Sequence, residues 1–121
     1  MKLSFITDEV SQNPDEFIEL ARKHNINSLE LRSVNNEKVS SMKVKSINEL
    51  KKQLDDNNLS VCCLDSFIFK GEIDECNIDE EMDLLKRALE NAFELNTSIL
   101  RIFTFLKKDD TKQPIDTILS C

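Results

Sequence analysis

The chain has 121 residues, 40% of them hydrophobic and 32% charged, with one glycine, two prolines and no tryptophan or tyrosine. That composition excludes collagen, low-complexity sequence and disorder, and no apolar run approaches the roughly 20 residues of a membrane span. The net charge of −7, with lysines scattered among acids, excludes nucleic acid and anionic membrane as expected partners, since both need clustered Lys/Arg.

Short β-branched and apolar runs alternate with longer runs at helical spacing. Leu3 to Thr7 reads as a first strand. Asn13-Pro14-Asp15-Glu16 then offers a helix cap, a proline at the first helical position and acids in the first turn. Phe17, Leu20, Ala21 and His24 carry that helix on. Ser28 to Arg32 is the second strand, and Val44, Ile47, Leu50, Lys51 and Leu54 mark the second helix. That helix starts on Lys43 where a capping Ser or Asp is usual, a loss of about 1 kcal/mol. Ser60 to Asp65 is the third strand. A long third helix opens at Asn77 or Asp79 and runs through Met82, Leu85, Leu89, Ala92 and Phe93; Ser98 to Phe103 is the fourth strand. The acids Glu72, Asp74, Glu75, Asp79, Glu80, Glu81 and Asp83 lack the alternate spacing and turn glycine of a calcium loop. They read as a loop running into a helix start, where acids suit the dipole.

The helix-to-strand joints begin at Asn25, Asn58 and Asn96, so asparagine stands where a left-handed glycine is usual. Their intervals of 33 and 38 residues fit a β/α repeat. Pro114, Ile115, Ile118 and Leu119 would start a fourth helix, with about two turns available before Cys121. The expectation is an α/β chain of parallel βα repeats: about four strands and three and a half helices, the N-terminal half of a TIM (β/α)8 barrel. Residues 1–121 then form a single partial domain.

Cys62, Cys63, Cys76 and Cys121 form no CxxC or zinc spacing and read as small apolar residues. Acids at Asp8 and Glu9 precede any apolar stretch of signal-peptide length, so a cytoplasmic setting is expected. Chemistry in parallel α/β folds collects at the C-terminal ends of strands. That rule selects Thr7, Asp8, Glu9, Glu30, Arg32, Asp65, Ser66, Lys70, Arg101, Phe103 and Thr104. Glu30, between Leu29 and Leu31, points away from both, toward the barrel axis or the other sheet face. Arg32 shares its face and can pair with it or bind an anion. His24, in the last turn of the first helix, is explained by the helix dipole rather than catalysis.

Phe5-Ile6-Thr7-Asp8-Glu9-Val10-Ser11 with Pro14-Asp15-Glu16, then Ser28-Leu29-Glu30-Leu31-Arg32, Val61 to Lys70 and Leu100 to Phe105, together resemble the sugar phosphate isomerase/epimerase family of xylose isomerase-like TIM barrels. The resemblance implies isomerisation, epimerisation or dehydration of a sugar or polyol by proton movement beside a carbonyl. It implies a divalent metal (Mn, Mg, Co or Zn) in the complete barrel, with ligands on later strands, so no metal ligand is carried onto this chain. Catalytic residues are not assigned. Glu30, Arg32, Ser66, Lys70 and Arg101 are the substrate-binding candidates, and a sugar or sugar phosphate is the expected partner of the complete protein. This chain alone is expected to be inactive. Two alternatives stand beside this reading. One is a receiver-like signalling domain using Asp8, Glu9 and Asp65. The other is a non-catalytic half-barrel that dimerises through open sheet edges.

Overall fold

The computed structural model describes residues 3–71 and 77–104. In chain order the elements are β1 (Ser4–Ile6), α1 (Pro14–Lys23), β2 (Ser28–Leu31), the short strands β3 (Ser33–Val34) and β4 (Glu37–Lys38), α2 (Val44–Asp56), β5 (Ser60–Asp65), α3 (Ile78–Glu94) and β6 (Leu100–Arg101). Single 3-10 turns occupy Thr7–Glu9 and Val39–Ser41. The expected fourth helix around Pro114, and Cys76 and Cys121, lie outside the described residues.

The helix boundaries follow local chemistry. The Asn13 side chain accepts a hydrogen bond from the Asp15 amide, and Pro14 occupies the first turn of α1. Asn77 caps α3 by accepting from the Glu80 amide, with Asp79, Glu80 and Glu81 in the first turn. Lys43 precedes α2 without a side-chain cap. All three helices end alike. Asn25, Asn58 and Asn96 take φ of 56°, 57° and 58°. In each, the next residue's amide reaches back to close the last turn: Ile26 to Ala21 O, Leu59 to Leu54 O, Thr97 to Ala92 O. Each asparagine amide bonds the carbonyl three residues earlier, which completes a Schellman motif.

The main sheet is wholly parallel in the order β1-β2-β5-β6, each strand beside the next one joined to it by a helix. A receiver-like domain needs its first strand between the second and third; here β1 pairs β2 alone within the described sheet, so the order does not support that alternative. Right-handed crossovers stepping in one direction put all three helices on one face of the sheet. The core matches that layering: Phe17, Ala21, Ile47, Leu54, Ala92 and Leu95 from the helices bury against Leu29, Leu31, Val61 and Leu64 from the strands. The result is an α/β fold with a four-stranded parallel sheet and three helices. No described helix is long and apolar enough to cross a membrane.

Three features depart from the expected elements. The fourth strand is shorter than expected, pairing at Leu100 and Arg101 with Leu64 and Asp65 of β5, and Ile99 just before it is 57% exposed. The segment after β2 folds into an antiparallel hairpin, β3 with β4, around Asn35 and Asn36, both at positive φ. Two left-handed central residues make the turn that suits strand twist. Strand β5 is not a regular alternation: Leu29 pairs Val61 but Glu30 pairs Cys63, so Cys62 is an extra residue in the ladder. The bulge leaves Val61 and Leu64 on the core face and Cys63 and Asp65 together on the other.

Candidate functional site

The face of the sheet opposite the helices carries the chemistry. Glu30 of β2 and Cys63 and Asp65 of β5 offer three ligand-capable atoms, all within 4.8 Å of one another. Asp65 is fully buried. Its Oδ1 accepts from the Cys63 thiol at 3.4 Å, while Oδ2 makes no hydrogen bond and stands 3.5 Å from Arg101 Nη1. Glu30 is raised from the usual carboxyl range, first by a hydrogen bond with Asp65, then by burial and by the charge of that second acid. Burial, and then the same two acids, push the Cys63 thiol up to about 12, so it is protonated at neutral pH.

Beside the acids lies a group of cations and rings. Lys38 and Lys70 sit 5.0 and 4.9 Å from the centre of the Phe67 ring. Lys70 and Arg101 lie 5.7 and 5.5 Å from the centre of Phe103. Such contacts hold long cationic side chains over apolar faces while leaving them able to meet an anion. The loop that presents Phe67 is unusual: Phe69 adopts φ 61°. A bulky residue at positive φ is strained and is kept only when its surroundings fix it. Here the Phe69 side chain is buried and its amide donates to Glu81 Oε2 at 3.1 Å.

The remaining sequence candidates divide by what they touch. Arg32 pairs not with Glu30 but with Asp8, Nε to Oδ2 at 2.8 Å and Nη2 to Oδ1 at 2.6 Å. Ser33 adds a bond to the same carboxylate. Glu9 is exposed, 4.0 Å from Arg32. Ser66 is buried, its hydroxyl donating to Arg101 O at 2.7 Å and accepting from the Ile68 amide. Thr7 is buried, and its Oγ1 makes no hydrogen bond. Thr104 is exposed, and His24 is an exposed C-cap of α1. Thus Glu30, Lys70 and Arg101 gather on one face, whereas Arg32 and Ser66 serve protein contacts.

Sequence reasoning missed Cys63 and Lys38. Period-2 alternation sets Cys63 on the Asp65 face, but a strand cysteine reads as a small apolar residue; the bulge at Cys62 is what sets it opposite Glu30. Lys38 is delivered by the hairpin, whose signal was Asn35-Asn36 between two short extended pairs. A hollow of about 300 Å³ lies elsewhere, between the helix ends and strand starts at Ile18, Ile26, Asn58 and Leu59. Only Arg22 among its lining residues is charged, so it reads as a packing gap rather than a site. Comparison with family models, curated proteins and solved structures finds no match to this chain.

Proposed function

We propose that this chain supplies half of a (β/α)8 barrel enzyme of the sugar phosphate isomerase/epimerase type, with the sheet face bearing Glu30, Asp65 and Arg101 as the barrel interior. The observation that supports the reading is the sequential parallel order β1-β2-β5-β6, which sets the three described helices on one face and gathers polar groups at the strand ends on the other. A doubly wound sheet would cover both faces.

In this reading Lys38, Lys70 and Arg101 attract the phosphate or carboxylate of a sugar. Phe67 and Phe103 present apolar surface to its carbon face, and Glu30 orients its hydroxyls. Arg32 and Ser66 are positioning residues: one holds the Asp8 turn, the other holds the strand carrying Arg101. The divalent metal that the resemblance implies polarises a carbonyl when bound. In the family that the chain resembles its ligands belong to later strands; no described residue is assigned that role, and the chain alone is expected to turn over no sugar. A reducing, cytoplasmic setting accords with Cys62 and Cys63, which are free thiols.

The test uses the complete coding product, incubated in deuterated water with free and phosphorylated aldoses and ketoses. Proton movement beside a carbonyl places solvent deuterium on carbon. Lys70→Ala is expected to raise KM for a phosphorylated sugar more than for its free form. Absence of exchange on every sugar tested overturns the reading.

A second reading has its own observation. Leu89, Phe93 and Ile99 are exposed on α3 and at the start of β6, with Phe93 at 81%, and β6 pairs on one side only within the described sheet. Self-association at that edge would cover them. A mass that rises with concentration and falls to monomer in Phe93→Asp supports it; a concentration-independent monomer removes it.

A further inference from the structure

We propose that Glu30, Cys63 and Asp65 form a binding site for a borderline divalent ion, zinc above all, distinct from any metal held by later strands. Three observations converge on it. The donors come from two adjacent strands in a fixed register, Glu30 opposite Cys63, with Asp65 two residues further along the same face. Their atoms all lie within 4.8 Å of one another, so side-chain movements of about 1 Å bring them to the roughly 3.5 Å that bonds of 2.0–2.3 Å in a tetrahedral shell require. Asp65, wholly buried, keeps an oxygen without a hydrogen bond, faced by the Arg101 guanidinium only at 3.5 Å, and an ion at this place would complete its coordination.

The donor set selects the ion. One sulfur and two carboxylate oxygens suit zinc or cobalt rather than magnesium or calcium, which prefer oxygen alone. Three deprotonated ligands with a divalent ion leave one negative charge, and Arg101, already 3.5 Å from Asp65, balances it. The partly exposed Arg101 side chain also lies over Phe103, so it can yield the inner position and remain beside the site. The thiol must surrender its proton to the ion, so binding releases protons and tightens as pH rises. The bulge at Cys62 is what brings the sulfur beside Glu30. The inference does not depend on the enzymatic reading: a failed sugar assay leaves it standing, and a failed titration leaves the sugar reading standing.

Cobalt is the probe, because a cobalt–thiolate bond gives a near-ultraviolet charge-transfer band. The titration uses the chain in a Cys76→Ser/Cys121→Ser background, so that only Cys62 and Cys63 remain. One equivalent of cobalt is expected to produce the band at micromolar concentration, and zinc is expected to displace it. Cys63→Ser should abolish the band, while Cys62→Ser keeps it. Glu30→Gln, at a half-buried position that tolerates an amide, should weaken affinity by about tenfold or more. Circular dichroism establishes that each variant is folded. No stoichiometric binding, a band that survives Cys63→Ser, or an affinity unmoved by Glu30→Gln each overturns the proposal.

Discussion

Arg32 grips the Asp8 carboxylate at two points, at 2.8 and 2.6 Å, and so fastens the turn after β1 to the end of β2. The Asp8 side chain is 8% exposed, and Ser33 adds a third bond. The hydrogen bonds from Arg32 hold the Asp8 carboxyl below its usual range. A carboxyl lowered in the folded state adds stability above its unfolded value, and that stability is lost as pH falls through the folded value. Asp8→Asn should therefore cost roughly 1 kcal/mol at neutral pH, between the values for surface ion pairs and charged hydrogen bonds. The gap from the parent should close below the ordinary aspartate range. Urea midpoints of both proteins across pH check this; a gap that persists in acid contradicts it.

Asn91 is buried in α3, and its amide nitrogen donates to Val39 O, Ser40 O and Met42 O at 3.0, 3.1 and 3.0 Å. It closes the turn that leads from the hairpin into α2. Asn91→Ala strands these carbonyls and should cost about 2 kcal/mol or more. Asn91→Asp should do worse, since a carboxylate would face three carbonyl oxygens. Chemical denaturation orders the three proteins.

Asn25, Asn58 and Asn96 are equivalent by geometry and should respond alike. Substitution by alanine, which has no local bond to ease the left-handed conformation, should cost roughly 1 kcal/mol at each site. Glycine should be neutral or slightly stabilising. The three turns share no hydrogen bond, so the losses should add to within about 0.5 kcal/mol, as a triple variant measures.

Glu30 sits against Asp65, and the folded state raises its pKa. A raised carboxyl pKa works against folding as pH rises from the unfolded value through the folded one. Glu30→Gln should therefore stabilise the metal-free chain at neutral pH, by roughly 0.5–1 kcal/mol from relieved like-charge contact. It should leave stability unchanged in acid, below the unfolded value of Glu30, where that carboxyl is protonated in both states. Thermal melts with a chelator present at two pH values decide it.

Much of the architecture could be read from short-range signals. Asn13-Pro14, Asn77 and the three asparagine joints act within a few residues, so composition and order reveal them. The site was only half legible. Glu30, Lys70 and Arg101 follow from the strand-end rule. The partner of Arg32 stayed open, since same-face spacing along β2 offers Glu30 or an anion, whereas folding brings the Asp8 carboxylate across from the neighbouring turn. Cys63 escaped for a different reason: alternation sets it with Asp65, but a strand cysteine reads as a small apolar residue until the ladder shows that Cys62 is the surplus residue and Cys63 lies opposite Glu30.

That surplus residue has a consequence for how the strand can change. Cys62 is unpaired in the ladder, and its thiol reaches Leu29 O at 3.4 Å. Were it deleted, Val61, Cys63, Leu64 and Asp65 would fall into plain alternation and keep their present facings. Cys62 therefore works as slack in the strand, a hinge pin between its anchoring half and its reactive half. A chain one residue shorter at this position should keep the same core and the same polar trio, but on a straighter strand with less twist to present them.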